Sequence, residues 1–271
     1  MTPPADLGAL RADVASRLAL AGCVAAAEEA DELVEAAAGD ADALWPLVIR
    51  REAGEPLAWV TGGVRFLGED IRVDHGVYVP RFQTELLARR ALDLLPPDGS
   101  AADLCTGSGA LAAVLARRRP GARVVASDLD PVACSCAAAN GVEVYRGDLT
   151  DPLPEELKGR LDLVVAVVPY VPTPRLAFLP RDSKDFEPVL ALDGGPDGTA
   201  VLERAVTASA AWLRPGGTLL LELGAGEDAR LAGPLREAGF DAARLLLDDD
   251  GDLRGIEARL LERAGPSLRA T

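Results

Sequence analysis

Three acids at the ends of apolar runs, Asp103, Asp128 and Asp148, and the glycine turn after the first of them are the residues best placed to do chemistry. That turn reads Asp103-Leu104-Cys105-Thr106-Gly107-Ser108-Gly109. Gly107 and Gly109 let the backbone bend tightly and bring main-chain N–H groups against a ligand. Asp128 lies about 20 residues beyond the turn, where a carboxylate can accept both hydroxyls of a ribose. Together these features indicate a nucleoside-containing cofactor. Gly107, Gly109 and Ala112 also fit the dinucleotide pattern G-x-G-x-x-G/A. A pyrophosphate, however, has no use for Asp103 inside the strand, whereas a cofactor with a sulfonium and an amino-acid tail does. Gly147-Asp148-Leu149 sets an acid and an apolar side chain where an adenine ring would lie, and a fourth run ends in Val167-Val168-Pro169-Tyr170.

Other side chains suggest less. Four cysteines, Cys23, Cys105, Cys134 and Cys136, form no paired Cys-x-x-Cys motifs, and His75 is the single histidine, so no zinc site is expected. Scattered cysteines read as reduced thiols in a cytoplasmic protein. Leu20-Ala21-Gly22-Cys23 matches a lipoprotein cleavage box, but Asp6, Asp13 and Arg17 break the basic start and apolar stretch that a signal needs. A small-residue helix end is the expectation there. Arg117-Arg118-Arg119 closes a helix and offsets its dipole, and Asp248 to Asp252 reads as a solvated hairpin turn, lacking a calcium loop's closing Glu. A net charge of -15, with only Lys158 and Lys184 as lysines among 28 basic residues, disfavours nonspecific nucleic-acid binding. Charged residues at 26% with no long apolar run exclude a membrane bundle.

The elements that must position these groups follow from periodicity. Leu7, Leu10, Val14 and Leu18 recur at helical spacing, Asp31 to Ala38 continues in helix formers, and Trp45 and Val48 anchor a third helix. Val64 to Pro80 alternates between turns and predicts a β-hairpin connector. Short apolar runs at Ala101–Cys105, Arg123–Asp128, Val142–Tyr145, Leu161–Val168 and Thr218–Leu223 then alternate with helical segments at Ala110–Arg118, Pro131–Asn140 and Ala200–Leu213. Alternation of this kind predicts an α/β fold, a parallel sheet covered on both faces. The last two strands, Ala243–Leu247 and Ile256–Leu261, should close it as an antiparallel hairpin. Val171 to Gly195 shows little periodicity and is expected to lid the acceptor pocket, with Phe178 and Phe186 as apolar anchors.

In this order the motifs resemble the bacterial release-factor glutamine methyltransferases over nearly the whole chain. Glu55 to Gly62 looks like the link between that family's helical and catalytic domains. Val79-Pro80-Arg81-Phe82-Gln83-Thr84-Glu85 resembles the family's Pro-Arg-Pro-Glu-Thr-Glu, with Phe82 and Gln83 as departures. Phe186-Glu187-Pro188, Ala191 to Gly195 and Arg254 match as well. The resemblance implies a class I, Rossmann-like methyltransferase: a helical domain at 1–62, a connector at 63–83 and a catalytic domain at 84–271. It implies S-adenosylmethionine held by Asp103, Cys105, Thr106, Gly107, Ser108, Gly109, Asp128, Asp148 and Leu149, and a release factor as partner. The catalytic stretch would be Val167-Val168-Pro169-Tyr170. There the family carries Asn-Pro-Pro-Tyr, whose Asn side chain and a backbone carbonyl hold the acceptor amide. Val167 has no such atom, which leaves open a more nucleophilic acceptor, small molecule or protein, or a binding protein without the chemistry.

Overall fold

Val14 and Leu18 on one helix face meet Leu33, Leu44 and Val48 in a small core of their own. Around it wind α1 (Leu7–Leu20), α2 (Ala26–Ala36), α3 (Ala41–Glu52) and α4 (Leu57–Thr61) in the computed structural model, which describes residues 7–224 and 226–262. Asp40 caps α3 by accepting from Asp42 N at 2.9 Å, and Arg51 of α3 pairs with Glu29 of α2 at 2.6 Å. Gly22 and Cys23 follow the end of α1, Gly22 with φ 92°, which is the small-residue helix end expected there. The connector is shorter in strands than its alternation predicts. Only β1 (Gly63–Phe66) and β2 (Glu69–Arg72) pair, antiparallel, and residues 73–80 run as turns and irregular chain.

Helix and strand then alternate: α5 (Thr84–Leu94), β3 (Ser100–Leu104), α6 (Ala110–Arg118), β4 (Arg123–Asp128), α7 (Pro131–Ala139), β5 (Glu143–Arg146) and β6 (Leu161–Ala166). After α8 (Arg181–Phe186) come α9 (Ala200–Trp212), β7 (Leu213–Glu222), α10 (Asp228–Ala238), β8 (Arg244–Leu247) and β9 (Leu253–Arg259). The seven strands lie in the order β5-β4-β3-β6-β7-β9-β8, parallel as far as β7, with β9 and β8 antiparallel. Side chains alternate between two cores: Ala101, Leu163, Val165 and Leu220 face one, Ala102, Leu104, Val164 and Leu221 the other. A sheet buried on both faces needs such near-continuous apolar strands. Strand order reverses between β3 and β6, the switch point at which ligands bind in open α/β sheets.

Three expectations need correction. β6 stops at Ala166, so Val167 to Tyr170 all lie beyond the strand. The segment 171–195 is not structureless: it holds a 3₁₀ turn at Thr173–Phe178, α8, and another turn at Val189–Ala191. Of its two phenylalanines only Phe186 anchors, edge-on to Trp59 at 6.5 Å, while Phe178 is 85% exposed. No helix among the described residues is long and apolar enough to cross a membrane.

Candidate active site

One cleft opens over the carboxyl ends of β3, β4, β5 and β6. Asp103 ends up buried because β3 sits at the centre of the sheet. Its Oδ2 accepts from Thr106 Oγ1 at 2.6 Å and Ala112 N at 3.2 Å. Full burial pushes its carboxyl up to about 7, against the lowering effect of those two donors. The turn is bent by positive φ at Cys105 (57°), Gly107 (58°) and Gly109 (78°). For Cys105 that conformation costs on the order of 1 kcal/mol, and burial holds its thiol protonated, its pKa well above the usual range.

The two glycines play different parts. A Cβ at Gly107 would meet nothing within 4 Å, whereas one at Gly109 would strike Ala137 and Val142 at 2.9 Å. Gly107 leaves room on the cleft side, and Gly109 lets α6 close onto α7, away from the cleft wall. Asp128 accepts from Gly107 N at 2.8 Å and Asp130 N at 2.9 Å, which fixes its carboxylate at the mouth, and burial raises its pKa. Leu149, at φ 46°, is held by Ser127 Oγ donating to its carbonyl at 2.6 Å. Asp148 pairs with Arg204 of α9. These features fit an adenosyl group: free space over Gly107, a carboxylate fixed for ribose, and the buried Ser108 hydroxyl, which has no partner among the described residues.

Of the residues singled out in the sequence, Asp103, Cys105, Thr106, Gly107, Ser108, Asp128, Asp148 and Leu149 line this cleft, with Val167 and Pro169 beside them. Val168 is buried beneath it, 2% exposed. Tyr170 turns away into the second core and reaches the carboxylate of Glu222 at 3.4 Å.

Sequence reasoning missed the other wall. Phe66, Val77, Tyr78, Pro80 and Thr84, from the connector and the start of α5, line the cleft, and so does Arg204. The Pro80-Arg81 motif was the available signal. Asn140 also escaped notice, yet its amide clips the connector to the glycine turn by donating to Arg72 O and Ser108 O, both at 2.8 Å. The arginine run does close its helix, but with work of its own: Arg118 donates to Leu67 O and Arg119 to Leu92 O.

The 171–195 segment is latched over this wall. Glu187, 4% exposed, accepts from Val79 N at 2.9 Å and from Arg81, whose guanidinium lies over the Tyr78 ring at 4.7 Å. Hydrogen bonds to charged groups contribute about 1.5–3 kcal/mol, so Glu187→Ala should open the segment roughly 10- to 150-fold more often. Trypsin has exposed sites there at Arg175, Arg181 and Lys184. Cleavage of the variant should accelerate by about that factor, and digestion at the wild-type rate would show that the latch lies elsewhere.

The FtsJ-like methyltransferase family matches residues 84–242. Release factor glutamine methyltransferase from Moorella thermoacetica is 40% identical over 230 residues, 81% of this chain and 78% of that protein. A 4-amino-L-phenylalanine/4-methylamino-L-phenylalanine methyltransferase from Streptomyces pristinaespiralis is 35% identical over 206 residues, 72% of this chain and 70% of its own length. In fold, the T. thermophilus 16S rRNA N2 G1207 methyltransferase superposes with a TM-score of 0.52 at 24% identity, over 73% of this chain and 49% of that one.

Proposed function

Because this chain belongs to the release factor glutamine methyltransferase family, we propose that it methylates the side-chain amide of a glutamine presented by a peptide chain release factor. It is an S-adenosylmethionine-dependent methyltransferase of class I fold. The observation that carries the choice of a protein acceptor is the rim of the cleft. Pro80 and Leu190 line it, and Leu190 and the chain neighbours Phe82 and Val189 are exposed, Phe82 by 80%. An exposed apolar rim around a cleft with acids on its floor suits a protein surface that inserts one side chain.

When bound, S-adenosylmethionine supplies an electrophilic methyl group on a sulfonium. Asp128 would hold the ribose hydroxyls, Asp148 and Leu149 would flank the adenine, and the turn from Asp103 to Ser108 would take the amino-acid tail. Val167 and Pro169 stand at the acceptor end. An amide nitrogen is a weak nucleophile because its lone pair is delocalised, so holding its orientation is much of the catalysis. The Val167 side chain cannot do this, and main-chain carbonyls of the 167–169 turn remain. Glutamine methylation is therefore expected to be slow. The division is read as a helical domain at 1–62 and a catalytic domain at 84–271, with the connector of 63–83 supplying one wall of the cleft.

Val167 favours a second reading, in which an apolar wall receives an arylamine, the kind of acceptor named for the Streptomyces pristinaespiralis relative. Such a nitrogen needs no polarising side chain. Labelled S-adenosylmethionine offered with a release-factor fragment or with 4-amino-L-phenylalanine separates the two. Transfer to the fragment is the expected result; transfer to the amine alone would replace the first reading by the second.

A further inference from the structure

Glu222 is a carboxylate that this reading leaves unused. It ends β7, 5% exposed, and its side chain contacts two hydroxyls. Thr84 Oγ1 donates to its Oε2 at 2.6 Å, and Tyr170 Oη donates to its Oε1 at 3.4 Å. No basic side chain among the described residues pairs with it. Burying an acid without a counterion is costly, and burial raises its pKa. Thr84, itself only 6% exposed, lines the cleft with Val167 and Pro169. Its proton is committed to Glu222, and its oxygen accepts from nothing among the described residues.

A nitrogen that gains a methyl group forms its N–C bond as the S–C bond breaks, becomes cationic, and must then release a proton. We propose that Thr84 and Glu222 form the relay that removes it: the acceptor N–H proton passes to Thr84 Oγ1 as the Thr84 proton passes to Glu222 Oε2. Thr84 is the residue that would touch the acceptor, and Glu222 acts through it as a positioning and proton-storing residue. The charged and titratable groups around Glu222 are Arg81 before α5, Arg254 on β9, Tyr170 after β6 and Tyr78 of the connector. Tyr78 and Glu227 act on Tyr170 in turn. The arginines keep the acid ionisable, and its burial makes it the better base once ionised.

The inference rests on nitrogen methylation but not on which nitrogen. Steady-state kinetics on the full chain, with whichever of the two acceptors wild type turns over, should show kcat rising with pH to a plateau. Glu222→Gln keeps an oxygen for Thr84 and should lower kcat by roughly tenfold or more, with KM little changed and the acid limb gone. Thr84→Val should behave alike, and Thr84→Ser should restore most of the rate. A second measurement needs neither cofactor nor acceptor. A carboxyl with a raised folded pKa binds more protons in the native state, so its contribution to stability is full at low pH and falls as pH rises. The unfolding midpoint of wild type relative to Glu222→Gln should therefore drop as pH rises above the ordinary glutamate value of 4.5. Turnover of the arylamine alone would displace the release-factor reading and leave the relay to be judged on that amine. Glu222→Gln at the wild-type rate with an unchanged pH profile would overturn the relay and leave the function standing. If neither acceptor is turned over, a midpoint difference independent of pH overturns the relay, and a falling one supports it.

Discussion

Val167→Asn should raise the kcat for a glutamine-containing release-factor fragment by about 10²–10³-fold. That is the range for restoring one preorganised polar contact to a reacting group. Val167 lies just past β6, half-buried and packed against the first core, with its side chain on the cleft. Asn is close to it in size, so the substitution adds an amide where a methyl pair stood without reshaping the turn. The gain belongs in kcat, with KM nearly unchanged, because the contact matters most in the transition state. An arylamine should respond the other way and lose rate, since a polar group then intrudes on an apolar wall. Val167→Thr separates shape from chemistry, keeping the branched outline while offering only a hydroxyl, and should gain far less. Paired assays of wild type and variant with the same peptide decide the matter. A wild type as fast as Val167→Asn would mean that main-chain carbonyls suffice to hold the amide.

Asp128→Ala should weaken S-adenosylmethionine binding by about 1.5–3 kcal/mol, the worth of hydrogen bonds to a charged group, or roughly 10- to 150-fold in Kd. The side chain has two duties. It would receive the ribose hydroxyls, and it already ties Gly107 N and Asp130 N, fixing the turn opposite it. Asp128→Asn retains the outline but presents one acceptor oxygen instead of two, so its loss should be smaller. Burial raises the Asp128 pKa, and protonation removes an acceptor, so wild-type affinity should fall on acidification. Titration calorimetry reads all three effects. Undiminished binding by the Ala variant would remove Asp128 from the ribose site.

Much of this site could be read from local sequence because its cofactor half is made of local devices. Apolar runs of strand length and a glycine turn are short-range signals, and an acid placed at a strand end stays at the sheet's rim in any parallel α/β fold. β4 (Arg123–Asp128) and α6 (Ala110–Arg118) begin and end where periodicity places them. The same locality explains the errors. Phe178 was expected to anchor its segment on hydrophobicity alone, but a 3₁₀ turn points it to solvent. Gly109 resembled Gly107 in type and spacing, and only the packing of α6 on α7 separates the wall glycine from the packing glycine.

What the sequence determined by itself was the fold class, the make-up of the glycine turn and the departure at Val167. Each depends on residues within a few positions of one another, where backbone geometry alone dictates who meets whom. The tertiary structure decided the proposed acceptor half. Thr84 and Glu222 stand 138 residues apart and meet at 2.6 Å. Val79 and Glu187 are 108 residues apart and meet at 2.9 Å. Those meetings follow from strand order, which carries β7 to the neighbour of β6 and sets the start of α5 against its end. Strand order is fixed by the summed burial of two apolar cores, a quantity spread over the whole chain that no single motif contains.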